Sequence, residues 1–296
     1  MNEPVPGKRA FYKYLTPETT LAVLESGNLR YSSPLRFNDP FDVQSALHWE
    51  FDFDSLANKL TNRIEALAQG SEPLSDSADP SAKLVRLARE HFPTKGFERR
   101  FWLPLIHDMV RHLQQGMQAT REEYLRKWKG EILPAMRVFC VSEERDNLLM
   151  WAHYARDHTG AVMELWSLPE EDNPLSVASQ VEYADSPIPF FTESEWIDDF
   201  TGQRRLDTTR LYRRYAYVKG MCWAYEREWR VWDPSGTGEL FDDRGIRPNE
   251  FQAIYFGCRA DPDFIQQAQQ LLASRFPHVR CYQARKDHSR YGLLYG

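Results

Sequence analysis

The sequence predicts an α+β fold in which a block of helices interrupts a set of strands. Three observations predict it. Short aromatic and β-branched runs stand near both ends of the chain. A long stretch with helical periodicity lies between them. Strands and helices do not alternate in the regular rhythm of a parallel βαβ sheet. At 296 residues the chain is long for one domain and short for two. We read one α+β domain over 1–296, with a helical insertion over about 52–134.

The elements follow in order. AFYKYL (10–15) is short, aromatic and bounded by polar residues, so it reads as a strand. In TPETTLAVLESGN, Thr16 suits an N-cap, Pro17 the first helical position and Gly27 the left-handed C-terminal site, giving a short helix. LRYSS is a second strand. FNDPFD (37–42) is a turn, because Asn-Asp-Pro disfavours both helix and ladder. Leu56, Leu60, Ile64 and Leu67 mark one helical stripe, and Leu84, Leu87 and Ala88 a second. Between them, SEPLSDSADPS (71–81) is a polar loop. FERRFWLPLIHDMVRHLQQG and TREEYLRKWKGEIL supply two or three more helices. RVFCVS (137–142) returns to strand, and DNLLMWAHYARD (146–157) is a helix with Asp146 as its cap. AVMELW and VASQVEYA are strands, and DTTRLYRRYAYV (207–218) is helical. WAYEREWRVW (223–232) and FQAIYFG are strands separated by the polar loop DPSGTGELFDDRGIRPNE. DPDFIQQAQQLLASRF is a final helix and VRCYQA a last strand.

The net charge of −6 argues against a broad electrostatic footprint for nucleic acid. Cys140, Cys222, Cys258 and Cys281 form no C-x-x-C pair, and their apolar neighbours suggest buried free thiols. The start, MNEPVPGKRAF, has no apolar signal core, and no apolar run approaches membrane-span length, so a cytoplasmic location is expected. His107/His112 and His153/His158 are each five apart, which turns them off a common helix face, so no metal site is expected. Phosphate-binding, dinucleotide-binding and nucleophile-elbow glycine motifs are all absent from the sequence.

Three constellations remain. In WAYEREWRVW, strand alternation would bring Glu226, Glu228 and Arg230 to one face. A solvated charge ladder gives the same pattern. The tryptophan-rich flank favours a cleft wall, where two close carboxylates repel and one titrates high. In FCVSEERDNLLMWAHYARDHTGAVMELW, Ser142 ends a strand, and Trp151, His153 and Tyr154 ride the next helix. An amphipathic helix packed on a sheet carries the same signature. In FYKYLTPETT, Lys13 and Tyr14 end the first strand. Asn38 and Asp39 brace the following turn.

Taken together, YKYL, FNDPF, VSEERDNLLMWAHYARDHTG, KGMCWAYEREWR and AIYFG resemble a bacterial family catalogued as domain of unknown function 2971. More distantly, the motif order resembles the ADP-ribosyltransferase superfamily. A polar residue ends the first strand, a Ser-bearing strand precedes a helix, and a later strand carries Glu-x-Glu. That resemblance implies a split, mostly antiparallel sheet and NAD as substrate. It implies an enzyme, a toxin or defence effector, that breaks the nicotinamide–ribose bond. Glu228 would face the ribose, and Glu226 would orient or deprotonate an acceptor of unknown identity, protein or nucleic acid. Ser142 would position Glu228. Lys13 would meet a phosphate as a point charge, at a position where the relatives use Arg or His. Tyr14, Trp151 or Tyr154 would stack on nicotinamide beside His153, and Arg230 would brace the glutamates or contact phosphate. Two other readings stay open: a non-catalytic nucleotide- or protein-binding module on the same fold, and a nuclease or hydrolase using Asp39, His153 and Glu228.

Overall fold

The structure, a computed structural model, describes residues 7–44, 47–48, 51–76, 80–234, 236 and 238–296. Residues 1–6, 45–46 and 49–50, residues 77–79 of the expected polar loop, and residues 235 and 237 lie outside the described residues.

Strand β1 (Arg9–Leu15) leads into helix α1 (Pro17–Ser26). Thr16 caps α1 by accepting the Thr19 amide, and Gly27 ends it at φ 70°, as its sequence predicts. Strand β2 (Asn28–Ser32) follows. In the FNDPFD loop, the Asp39 carboxylate accepts the Phe41 amide at 2.9 Å, an Asx turn. Then come α2 (Phe53–Gln69), α3 (Pro80–Lys95) and α4 (Arg99–Lys127), with α4 continuous where two or three helices were expected. The short α5 (Leu133–Ala135) precedes β3 (Arg137–Ser142), α6 (Leu148–Tyr154) and β4 (Ala161–Ser167). Asn147, not Asp146, caps α6, its side chain accepting the amides of Leu149 and Met150.

VASQVEYA is two short strands, β5 (Ser179–Gln180) and β6 (Glu182–Ala184), rather than one. Helix α7 (Glu193–Phe200), set by a Thr192–Glu195 capping box, was not expected from sequence. Helix α8 (Thr208–Ala216) stops before β7 (Val218–Gly220). Strand β8 (Glu228–Asp233) is followed by β9 (Phe241–Gly245), which lies inside the stretch expected to be loop. Strand β10 (Phe251–Phe256), helix α9 (Pro262–Arg275), strand β11 (Arg280–Lys286) and a further strand β12 (Leu293–Tyr295) complete the chain.

The chain divides into two compact units. The first comprises Met1–Ser45, Gly130–Ser186 and Ala216–Gly296. Its sheet, among the described residues, runs β12-β11-β10-β4-β1-β3-β2-β9, with β8 lying against β3 and β5. The pairing is antiparallel except between β10 and β11. One face, bearing Phe11, Phe139, Met163, Trp229 and Ile254, packs with residues of α1 and α9 such as Leu24, Phe264 and Leu272. The other face, with Tyr14, Val162 and Tyr255, packs under Met150 and Trp151 of α6. Strand β3 pairs with β8 along its whole length. Toward β1 and β2 it makes only one pairing each, Tyr12 with Ser142 and Ser32 with Val138. The sheet is therefore parted between β1 and β2.

The second unit comprises Ala46–Lys129 and Pro187–Tyr215. Leu56, Leu60, Ile64 and Leu67 are buried as the periodicity predicts, against Val85, Ala88, Ile106, Val110 and Ile197. On α3 the buried positions are Ala82, Val85 and Ala88, while Leu87 is exposed, so that stripe is displaced from the one expected. Cys222 and Cys281 are exposed and Cys140 and Cys258 half-buried, which corrects the expectation of four buried thiols. Among the described residues no helix is long and apolar enough to cross a membrane.

Candidate functional site

The expected strand WAYEREWRVW begins only at Glu228. Met221–Glu226 winds as a 3₁₀ helix, and Arg227 turns the chain through φ 44° in the left-handed region. Glu226 and Glu228 are not alternate residues of one strand, so the face-sharing expectation fails for this pair. The two carboxylates nevertheless meet, because the turn at Arg227 folds the end of the 3₁₀ segment back beside the start of β8.

What joins them is a cation. Lys219, from β7, donates from Nζ to Glu226 Oε2 at 2.5 Å and to Glu228 Oε2 at 3.0 Å, and lies 3.5 Å from Asp42 Oδ2. Arg230 grips Glu228 with two bonds, Nε to Oε1 at 2.8 Å and Nη2 to Oε2 at 3.0 Å. The same guanidinium donates to Asp42 Oδ2 at 2.6 Å and to the Ala216 carbonyl at 2.7 Å. The Tyr154 hydroxyl donates to Glu226 Oε1 at 2.6 Å, and the Tyr183 hydroxyl accepts the Glu228 amide at 2.8 Å. Asp42, Lys219, Glu226, Glu228 and Arg230 are all buried. Among the described residues, Asp42 Oδ1 is buried without a hydrogen-bond partner.

These surroundings push the carboxylates in opposite directions. Burial opposes ionisation of Glu228, but the charges of Arg230 and Lys219 outweigh it and hold the carboxyl well below its usual range. At Glu226 burial dominates, reinforced by Glu228, and the carboxyl titrates above its usual value despite Lys219 and Tyr154. Asp42 is likewise raised by burial. Lys219 is raised, because Glu228, Asp42 and Glu226 overcome the cost of its burial. Burial pushes the Tyr183 phenol up to about 12.

Glu226, Glu228, Asp42 and Lys219 line a cleft of about 430 Å³. The parting of the sheet supplies its walls: Tyr12, Lys13 and Tyr14 from β1, Ser32 from β2, and Cys140 and Ser142 from β3. Lys13 Nζ donates to the Cys140 carbonyl at 2.7 Å, satisfying a main-chain oxygen that lies between the two single pairings of β3. Ser142 donates to the main-chain carbonyl of Glu226 at 2.7 Å, not to the Glu228 carboxylate as the resemblance implied. It lies opposite Glu228 in the β3–β8 ladder, so its hydroxyl fixes the backbone on which Glu226 turns.

The other expected residues divide. Tyr14, His153 and Tyr154 line the cleft. The Tyr14 hydroxyl is committed to the Glu144 carbonyl, and His153 Nδ1 lies 2.9 Å from the Tyr225 hydroxyl. Trp151 does not line it. Its ring is fully buried, stacked on His158, with Nε1 donating to the Arg145 carbonyl. Arg230 is also fully buried, so it braces Glu228 and Asp42 and offers no surface to a phosphate. Asp39 is committed to its turn and does not line the cleft with His153 and Glu228. The sequence reading missed Lys219 and Asp42. Both sit in motifs it quoted, KGMCWAYEREWR and FNDPFD, and a Lys between Val218 and Gly220, directly after the predicted helix 207–218, was the available signal.

Fold and cleft together define an α+β protein on a mostly antiparallel sheet, with a buried carboxylate–cation cluster opening into the parting of that sheet. Residues 150–231, which include Tyr154, Lys219, Glu226, Glu228 and Arg230, match the family described as Protein of unknown function (DUF2971), in support of that resemblance. No curated protein and no solved structure matches the chain.

Proposed function

We propose that this chain is an NAD-dependent ADP-ribosyltransferase, on a sheet of that superfamily's type, that breaks the nicotinamide–ribose bond and passes ADP-ribose to an acceptor. One observation supports this reading above others. At the cleft wall a carboxylate kept ionised, Glu228, stands beside a carboxylate pushed toward its protonated form, Glu226. Glu228 is paired with the cations Lys219 and Arg230, so its negative charge is held in one place at the cleft wall.

The chemistry follows from that charge. As the bond from the ribose anomeric carbon to the nicotinamide nitrogen breaks, its electron pair leaves with nicotinamide and positive charge gathers on the ribose. An anion preorganised by Arg230 favours that state over the ground state. The acceptor then bonds to the same carbon and loses its proton to Glu226, whose raised pKa suits it to accept one. Tyr14 and Tyr154 offer ring faces for nicotinamide, and Lys13 a point charge for the pyrophosphate.

The test is nicotinamide release from NAD. The wild-type chain should release it, and Glu228→Gln should lower the rate by roughly 10²–10³-fold, the scale of one lost electrostatic stabiliser. Mass spectrometry of candidate targets incubated with labelled NAD would identify the acceptor. A second reading has its own support. Every Glu228 oxygen already accepts a charge-assisted bond, as in a purely structural cluster, so the chain would be a nucleotide-binding module. NAD binding by calorimetry without nicotinamide release under any acceptor would favour that reading over catalysis.

A further inference from the structure

We propose that Lys219 is a positioning residue that clamps Glu226 and Glu228 side by side and sets the charge each carries toward the cleft. This rests on the catalytic reading of the two glutamates; the clamp itself is testable without it.

The geometry carries the inference. Two carboxylates on either side of a left-handed turn would be driven apart by repulsion in a buried setting. Lys219 Nζ lies between them, donating to Oε2 of each at 2.5 and 3.0 Å. The lysine is itself buried, and Trp223 lies with its ring centroid 5.0 Å from the ammonium. Its other charged neighbours are Asp42 from the loop after β2 and Arg230 from β8, and the phenols of Tyr154 and Tyr183 face the same glutamates. Arg230 holds Glu228 and Asp42 but makes no bond to Glu226. Without Lys219, Glu226 would keep the Tyr154 hydroxyl but no cation, while the Glu228 anion, held by Arg230 alone, would stand next to it. Glu226 would then take up a proton at higher pH and cease to act as a base near neutrality.

Two measurements test this on the full chain. The first is the pH profile of nicotinamide release in the wild type, Lys219→Met and Lys219→Arg. Lys219→Met should move the acid limb upward by about one pH unit or more, the effect of removing an adjacent opposite charge. Lys219→Arg should restore most of the wild-type limb, because it restores charge. The second measurement needs no NAD: carboxyl titration by NMR with side-chain carbon-13 glutamate. A glutamate resonance, assigned through Glu226→Gln, should titrate at higher pH in Lys219→Met. An unmoved limb together with an unmoved titration in folded Lys219→Met overturns the clamp. If the titration moves but the wild type releases no nicotinamide, the clamp stands and the transferase reading falls. Should Lys219→Met fail to fold, Lys219→Gln serves instead, with the same titration as its criterion.

Discussion

Arg230 is the residue on which the cluster is built. Its guanidinium is fully buried and serves two carboxylates and a carbonyl at once. Removing one partner of a buried ion pair leaves the others desolvated and unmatched, at a cost of about 3–5 kcal/mol. Arg230→Met should therefore destabilise the chain by that amount in urea unfolding, with the midpoint falling and the slope unchanged. A loss below about 1 kcal/mol, typical of a surface pair, would mean the network is solvated. At this scale the sequence was informative for a partly mistaken reason. The alternation of charge nominated Glu226, Glu228 and Arg230, yet a left-handed turn, not strand geometry, brings Glu226 beside Glu228. Asp42 is not legible because its partner Arg230 is far along the chain and no local period records that contact. Lys219 is not legible because the nearby 3₁₀ segment that turns Glu226 and Glu228 back toward it reads as strand.

Elements were most legible where their ends carry their own chemistry. Thr16, Pro17 and Gly27 fixed α1, and a proline after an aspartate fixed the start of α9. Strand β9 was hidden because it is a polar edge. Its FDDRG sequence lacks an apolar alternation, and Arg30 of β2 pairs with Asp243 across the ladder. The 3₁₀ segment Met221–Glu226 was hidden because its aromatic residues have high strand propensity and tertiary packing overrides it. The junction between α6 and β4 has a sharper constraint. A Cβ on Gly160 would sit 2.0 Å from the Leu15 carbonyl oxygen, which is backbone and cannot rotate away. Gly160→Ala should cost about 3 kcal/mol, the upper range for overpacking, and thermal unfolding of the variant checks it. A wild-type melting temperature would show that β1 and β4 can separate there.

For the whole molecule, stability must respond to pH through carboxyls that shift in opposite senses. Glu228, held low by Arg230 and Lys219 against its burial, contributes stability that is present above the unfolded carboxyl range. That contribution is lost as pH falls through its folded value. Glu250 does the reverse. Burial raises it to about 7, against the opposing Arg247 amide and charge. Its contribution is full below the unfolded value of about 4.3 and is lost as pH rises through 7. Glu250→Gln cannot ionise, so at pH 8 the variant should be more stable than the wild type by about 1–3 kcal/mol, with the two converging near pH 4. Equal stability at pH 8 would refute the shift. At this scale the α+β class and the helical block were readable from the distribution of periods along the chain. The order of strands was not, because pairing partners far apart in sequence leave no mark on either segment.

The parting between β1 and β2 has a consequence for how such a protein can diversify. The hollow it creates is framed by polypeptide backbone, held by strand topology rather than by the bulk of chosen side chains. Substitution can repaint the rim and redirect what enters, as Lys13 does where it reaches the Cys140 carbonyl, but it does not change the strand pairing that leaves the opening. Any chain that threads its strands in this order inherits the receptacle, and only its furnishing is left to vary.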